Sequence, residues 1–140
     1  MNIIYKNSCV NCESEVDYER LNLGLPCRKC IPLSTEEIVK IVKPKTKNAY
    51  KRIYKLLKQF NTLKNYRYIY KENEKLKKFV SFFKKALNQN PWSAQVFWAK
   101  KALKGKSFAI LAPTGTGKTT FLIIFSLFFS QKRRKTYIIL

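Results

Sequence analysis

The sequence predicts an α/β chain in three pieces: a small cysteine-stapled module, a helical connector, and the opening of a parallel sheet around a glycine-rich loop, left incomplete. Three observations predict it. All four cysteines fall within the first 30 of 140 residues, as Cys9-x₂-Cys12 and Cys27-x₂-Cys30. Residues 34–90 are rich in Lys, Tyr and Asn and carry apolar residues at helical spacing. Residues 91–140 are apolar and basic, and hold three of the four glycines. The expected boundaries are 1–40, 41–89 and 90–140.

The first piece is too small to bury a self-sufficient core, since a module of roughly 30 residues needs a staple. Its four thiols provide one. Two cysteines three apart turn both sulfurs toward one point, and two such pairs, fourteen residues apart, complete a tetrahedron. Zn²⁺ accepts four thiolates in that geometry at about 2.3 Å. A metal held by Cys9, Cys12, Cys27 and Cys30 is therefore expected to be structural and to supply folding energy. Zinc is the first reading of this zinc-ribbon pattern, with an iron centre of rubredoxin type as the alternative.

The Lys-, Tyr- and Asn-rich stretch 34–90 opens at Ser34-Thr35-Glu36-Glu37, a capping-box pattern, and its first helix should stop before Pro44. Residues 45–60 read as a second helix, with Ile53, Leu56, Leu57 and Phe60 on one face. Asn61 to Tyr70 is ambiguous, because Tyr66, Tyr68 and Tyr70 alternate as in a strand. From Asn73 the stripe Leu76, Phe79, Val80, Phe83 and Leu87 is helical and suits a core-facing surface.

Asn88-Gln89-Asn90-Pro91 is a break. Residues 93–103 should form a helix closed by Gly105. Residues 107–112 read as a short buried strand and 118–130 as a helix apolar on most sides. Residues 137–140 read as the start of a second buried strand.

Between the first strand and its helix lies Ala112-Pro113-Thr114-Gly115-Thr116-Gly117-Lys118-Thr119, the phosphate-loop pattern with Ala in the first glycine position. The chemistry calls for these residue types. Gly115 and Gly117 let backbone N–H groups approach phosphates without a Cβ in the way. The helix N-terminus adds the positive end of its dipole. Lys118 should reach the β- and γ-phosphates, and the Thr119 hydroxyl should ligate Mg²⁺.

Charge points to a polyanion. The 29 Lys and Arg outnumber eight acids, for a net charge of +21, and nucleic acid is the first partner expected. The plain alternative is a Lys-rich surface of the hyperthermophile kind, since 23 of those bases are Lys. There is no His, and all eight acids lie at or before Glu74. Residues 75–140 hold fourteen Lys and Arg and no carboxylate. Catalysis that needs a carboxylate from that half is excluded on this chain, and no catalytic residue is assigned. The longest apolar stretch, residues 121–129, is short of the roughly 20 that span a bilayer. With no basic start followed by a long apolar run at the N-terminus, a cytoplasmic protein without a membrane partner is expected.

Ala-Pro-Thr-Gly-x-Gly-Lys-Thr resembles motif I of superfamily-two helicases. Upstream, Pro91-Trp92-Ser93-Ala94-Gln95-Val96-Phe97-Trp98-Ala99 and Gly105-Lys106-Ser107-Phe108-Ala109 resemble the start of the helicase-like part of the reverse gyrase family. The paired cysteine knuckles, with Gly24-Leu25-Pro26-Cys27, resemble that family's N-terminal zinc finger. The resemblance covers residues 9–33 and 90–140; the helices between carry no specific motif. It implies a RecA-like sheet and an ATP-dependent type IA DNA topoisomerase that introduces positive supercoils. It also implies adenine reading by Gln95, whose amide can pair bidentately with N6 and N7. Phe82, Phe83 and Trp92 are the candidates to stack on the base. Double- and single-stranded DNA would be partners, with Arg28 and Lys29 the candidate contacts on the finger. The remaining helicase-like and topoisomerase regions would be partners too, and a monomer is expected. The family's Asp-Glu box, arginine finger and tyrosine domain are absent, so the reading is an inactive N-terminal fragment. Two alternatives stand beside it: a stand-alone zinc-ribbon DNA-binding protein, and another superfamily-two helicase with an appended ribbon.

Overall fold

A computed structural model describes residues 3–137 and Ile139. The chain is mostly helical and packs as two compact units, Met1–Lys71 and Glu72–Leu140. A single helix, α4 (Tyr66–Leu87), crosses the division.

The first unit begins with a two-stranded antiparallel sheet. Strand β1 (Ile4–Tyr5) pairs with β2 (Val16–Asp17), in the register Ile4 to Asp17 and Tyr5 to Val16. Asp17 then caps the short helix α1 (Tyr18–Asn22), its carboxylate accepting the Arg20 N–H at 3.0 Å. Gly24, at φ 66°, supplies the left-handed turn that leads to the second cysteine pair.

Helix α2 (Thr35–Val42) starts as its capping box requires. The Ser34 hydroxyl accepts from the Glu37 N–H at 3.2 Å, and the Glu37 carboxylate accepts from the Ser34 N–H at 2.8 Å. It ends at Lys43 in the left-handed conformation, immediately before Pro44. Helix α3 (Ala49–Gln59) starts later than the sequence suggests. Lys45 takes φ 65°, and the Thr46 hydroxyl donates to the Lys43 carbonyl at 2.7 Å. Residues 45–48 are thus used up in the turn that Pro44 imposes. Ile38 and Val42 of α2 and Ala49, Ile53, Leu56 and Leu57 of α3 join Val16, Leu25, Ile31 and three of the cysteines in one core.

The alternating tyrosines belong to a helix. Tyr66 and Tyr70 lie one turn apart; Tyr66 is buried, Tyr70 stacks on Tyr54 with ring centroids 4.3 Å apart, and Tyr68 is exposed. A strand would need a ladder partner, and no other strand lies beside this segment among the described residues.

In the second unit, Phe79 and Phe83 of α4 pack with Trp98 and Ala99 of α5 (Ser93–Leu103) and with Phe121, Ile124 and Phe128 of α6 (Lys118–Ser130). Phe79 is its centre, meeting Phe83, Phe121, Phe125 and Phe128 edge-on at 5.4–6.1 Å. Asn88 at φ 54° ends α4, and Gly105 at φ 70° follows α5. The far side of α6 is apolar and exposed at Leu122, Ile123 and Leu127.

The expected buried strand at 107–112 is not one. Those residues carry no regular structure, none is buried, and Leu111 is 95% exposed. Of the strand expected at 137–140, Ile138 and Leu140 lie outside the described residues, and Tyr137 and Ile139 are exposed without regular structure. The only sheet among the described residues is β1–β2, and the described residues of the two segments expected to open a parallel sheet carry no regular structure. An apolar run becomes a strand only when a neighbour takes up its N–H and C=O groups.

Candidate metal centre and phosphate loop

The four sulfurs of Cys9, Cys12, Cys27 and Cys30 lie within 4.8 Å of one another, and none is in a disulfide. Cys12 and Cys27 sulfurs are 3.6 Å apart, Cys27 and Cys30 sulfurs 3.7 Å. A tetrahedral Zn–S₄ centre with bonds near 2.3 Å has S···S edges of about 3.8 Å, so the thiols fit that metal. All but Cys12 are buried. Burial pushes the Cys27 and Cys30 thiols up. At Cys12 burial is outweighed by hydrogen bonds from Ser14 and the neighbouring thiols, which bring it down to about 6. A bound cation would keep all four as thiolates.

The knuckle turns are local. The Glu13 N–H donates to the Cys9 carbonyl at 3.0 Å, and the Cys30 and Ile31 N–H groups donate to the Cys27 carbonyl at 3.1 Å. The Cys27 N–H donates to the Cys9 sulfur at 3.2 Å, which ties the two knuckles together.

Two residues that composition and spacing did not single out hold this module in place. Asn11, fully buried, sits between the first two cysteines. Its Nδ2 donates to the Cys30 sulfur at 3.1 Å and the Thr62 carbonyl at 2.8 Å. Its Oδ1 accepts from the Lys64 and Tyr66 N–H groups at 2.8 and 3.3 Å. All four bonding positions of the amide are used, and they span a sulfur ligand and the turn between α3 and α4. Arg20, also fully buried, donates to the carbonyls of Pro26 (3.2 Å), Ile31 (3.1 Å) and Leu33, which fastens the chain on both sides of the second knuckle. The only hint in the sequence was position: an Asn inside a metal knuckle, and an Arg in a capped helix just before one.

Arg28 and Lys29 are exposed, beside a cleft of about 300 Å³ that Ile4, Glu15 and Asp17 also line. Arg28 is partnered by the Asp17 carboxylate at 3.5 Å.

In the second unit, residues 112–117 are irregular chain and a turn that leads into α6. Gly115 and Gly117 sit at φ 80° and 74°, a conformation that costs other residues about 1–2 kcal/mol. Gly117 is the N-cap of α6, its carbonyl accepting the Phe121 N–H at 2.9 Å. Lys118 Nζ donates to the carbonyls of Ala112 and, at 3.0 Å, Pro113. The Thr116 hydroxyl also donates to Pro113, at 2.8 Å. Thr114 and Thr119 are exposed. Gln95, buried on α5, reaches the loop: its Nε2 donates to the Gly117 carbonyl at 3.2 Å. Of the three aromatic candidates, Phe83 is locked in the core and unavailable to a ligand. Phe82 packs on Phe128. Trp92 is half exposed, and its ring lies 3.8 Å from where a Cβ of residue 117 would stand.

The "Reverse gyrase zinc finger" family matches residues 1–49. The chain is 38% identical to reverse gyrase 1 of Sulfurisphaera tokodaii over 94% of its own length and 10% of that protein's. It is 39% identical to the reverse gyrase of Pyrococcus furiosus over 99% of its length and 11% of that protein's. Reverse gyrase 2 of Aquifex aeolicus is 38% identical over 89% of the chain and 10% of that protein. The chain thus spans about a tenth of the length of these relatives.

Proposed function

We propose, from the premise that the chain belongs to the reverse gyrase family, that it forms the N-terminal zinc-finger and nucleotide-loop portion of an ATP-dependent type IA DNA topoisomerase that introduces positive supercoils. The observation that carries the proposal is that one chain holds both a Cys₄ cluster fit for zinc and a Gly-Lys-Thr loop opening a 13-residue helix. Cys9, Cys12, Cys27 and Cys30 would hold a structural zinc, which supplies folding energy and no chemistry.

At the loop, the N–H groups of residues 114–119 and the N-terminus of α6 would bind the ATP phosphates. Lys118 would leave its carbonyl partners for the β- and γ-phosphates, and the Thr119 hydroxyl would hold Mg²⁺. Gln95 would read adenine, with Trp92 the best placed of the three aromatics to stack on it. In the whole enzyme residues 107–112 would join a RecA-like parallel sheet, which supplies the ladder partners they need. DNA would be met by the basic surface, including Arg28 and Lys29, within a net charge of +21. No helix of the described residues is long and apolar enough to cross a membrane, and a cytoplasmic location fits a protein that works on DNA.

The 140-residue chain by itself should bind nucleotide weakly and not turn it over. Phosphoryl transfer needs a carboxylate to hold Mg²⁺ and orient water, and residues 75–140 contain none. A steady-state ATPase assay with DNA present, run beside Lys118→Ala, tests this. Expected is no turnover above the variant. Turnover that disappears in Lys118→Ala would show a working ATPase and overturn that part of the proposal.

A further inference from the structure

Charge in the first unit is divided along the chain. Residues 1–37 hold four Lys and Arg against six acids, a net charge of −2. Of those bases Arg20 is buried, and Arg28 is paired with Asp17 at 3.5 Å. Residues 38–71 hold eleven Lys and Arg and no acid. The cysteine module is thus slightly acidic, and the positive charge of the unit lies on α3 and its flanks. Helix α3 sorts that charge by face. Ala49, Ile53, Leu56 and Leu57 are buried. Lys51, Lys55 and Lys58 are exposed on the solvent side, at three- and four-residue spacing. Tyr50 and Tyr54 border them: Tyr50 is exposed, Tyr54 stacks on Tyr70, and Lys58 Nζ lies 5.6 Å from the Tyr54 ring centroid. None of the three lysines is in an ion pair among the described residues.

Like charges one helical turn apart repel, and a Lys-rich surface built for heat resistance relieves this by interleaving acids in ion-pair networks. Helix α4 follows that pattern where Glu74 pairs with Lys77 at 3.2 Å. Helix α3 has no acid to do so, and an external polyanion would supply the missing charge. We propose that the solvent face of α3, with Lys51, Lys55, Lys58 and the Tyr50 hydroxyl, is the principal surface by which the first unit holds DNA, through its phosphate backbone. Contacts of this kind fix position and carry no sequence preference. The face has no apolar side to offer a bilayer, because the other side of α3 is committed to the core. The cysteine module then serves as a buttress, since Asn11 ties the Cys30 sulfur to the Thr62 carbonyl in the turn that follows α3. The proposal rests on the reading of DNA as the partner of this chain.

Anisotropy titrations of a short fluorescent DNA duplex with the full chain, repeated across salt concentrations, test this. Two triple variants remove the same charge from the same unit. One carries Lys51→Gln, Lys55→Gln and Lys58→Gln on α3; the other carries Lys6→Gln, Arg28→Gln and Lys29→Gln on the finger. The α3 variant should lower the log–log salt slope by up to about 2.7, at about 0.9 per phosphate, and the finger variant by less. Equal losses would mean that net charge alone matters, and a larger loss from the finger would put the DNA there; either overturns the proposal. Lysine acetylation of the wild-type protein needs no variant. Adding the duplex should protect Lys51, Lys55 and Lys58 more than Lys6 and Lys29, and the reverse order would also overturn the proposal. Phosphatidylserine vesicles that bind the wild type more tightly than the duplex does, and lose it in the α3 variant, would assign the face to a membrane instead. Duplex binding by the wild type that is absent or indifferent to salt would defeat DNA as the partner, and the proposal with it.

Discussion

Asn11 shows how one side chain can couple a metal knuckle to the helices behind it. Its amide joins the Cys30 sulfur to three backbone groups of residues 62–66. Truncation would strand buried donors and acceptors, each worth about 1–3 kcal/mol when left unpaired. Asn11→Ala is expected to cost the zinc-loaded chain about 3 kcal/mol, read as a lower denaturation midpoint at unchanged zinc stoichiometry. A cost below about 0.5 kcal/mol, typical of a surface substitution, would show that the network is incidental. At this scale the sequence was half legible. The cysteine spacing announces itself because metal chemistry restricts residue type and interval. Asn11 and Arg20 were hidden, because most of their partners are backbone groups, up to 55 residues away, and backbone carries no sequence signal.

At the scale of elements, helix α2 is the one whose sequence determines it most completely. The capping box fixes its start, and Lys43-Pro44 fixes its end. The Glu37 carboxyl is held below its usual 4.5, first by the Ser34 backbone N–H and then by the Ser34 hydroxyl. A depressed carboxylate stabilises the fold above its unfolded pKa, and that contribution is lost as pH falls through the folded value. The stability difference between wild type and Glu37→Gln should therefore be present at pH 6 and fade as pH falls below about 4.5, the model-peptide range. Acid release of metal affects both proteins alike and drops out of the difference. A difference constant from pH 6 to 3 would contradict the assigned role. Tyr66–Tyr70 reads ambiguously and residues 107–112 misled for the same reason. Period-2 alternation and short apolar runs describe a side-chain pattern, whereas a strand also requires a partner in the ladder. Tyr66 is instead drawn into the first unit's core and Tyr70 onto Tyr54, one helical turn apart.

For the whole molecule, composition points to a polyanion partner, while packing divides the chain where composition does not. The connector has no independent core: α2 and α3 pack with the cysteine module, and most of α4 packs with α5 and α6. With a charge of +21, DNA binding should weaken linearly in log–log terms with salt, at about 0.9 per phosphate neutralised. The double variant Arg28→Ala, Lys29→Ala should lower that slope by up to about 2, or by less if the Asp17 pairing of Arg28 persists on DNA. An unchanged slope would remove the finger from the DNA interface. The central claim is that a zinc ion on four thiolates organises the first unit, and X-ray absorption at the zinc edge on the purified full chain tests it most directly. One zinc per chain with four sulfurs at about 2.3 Å, lost together with the first unit's fold on chelation, is the predicted result. Iron in its place, fewer than four sulfurs, or a fold that survives removal of the metal would contradict it.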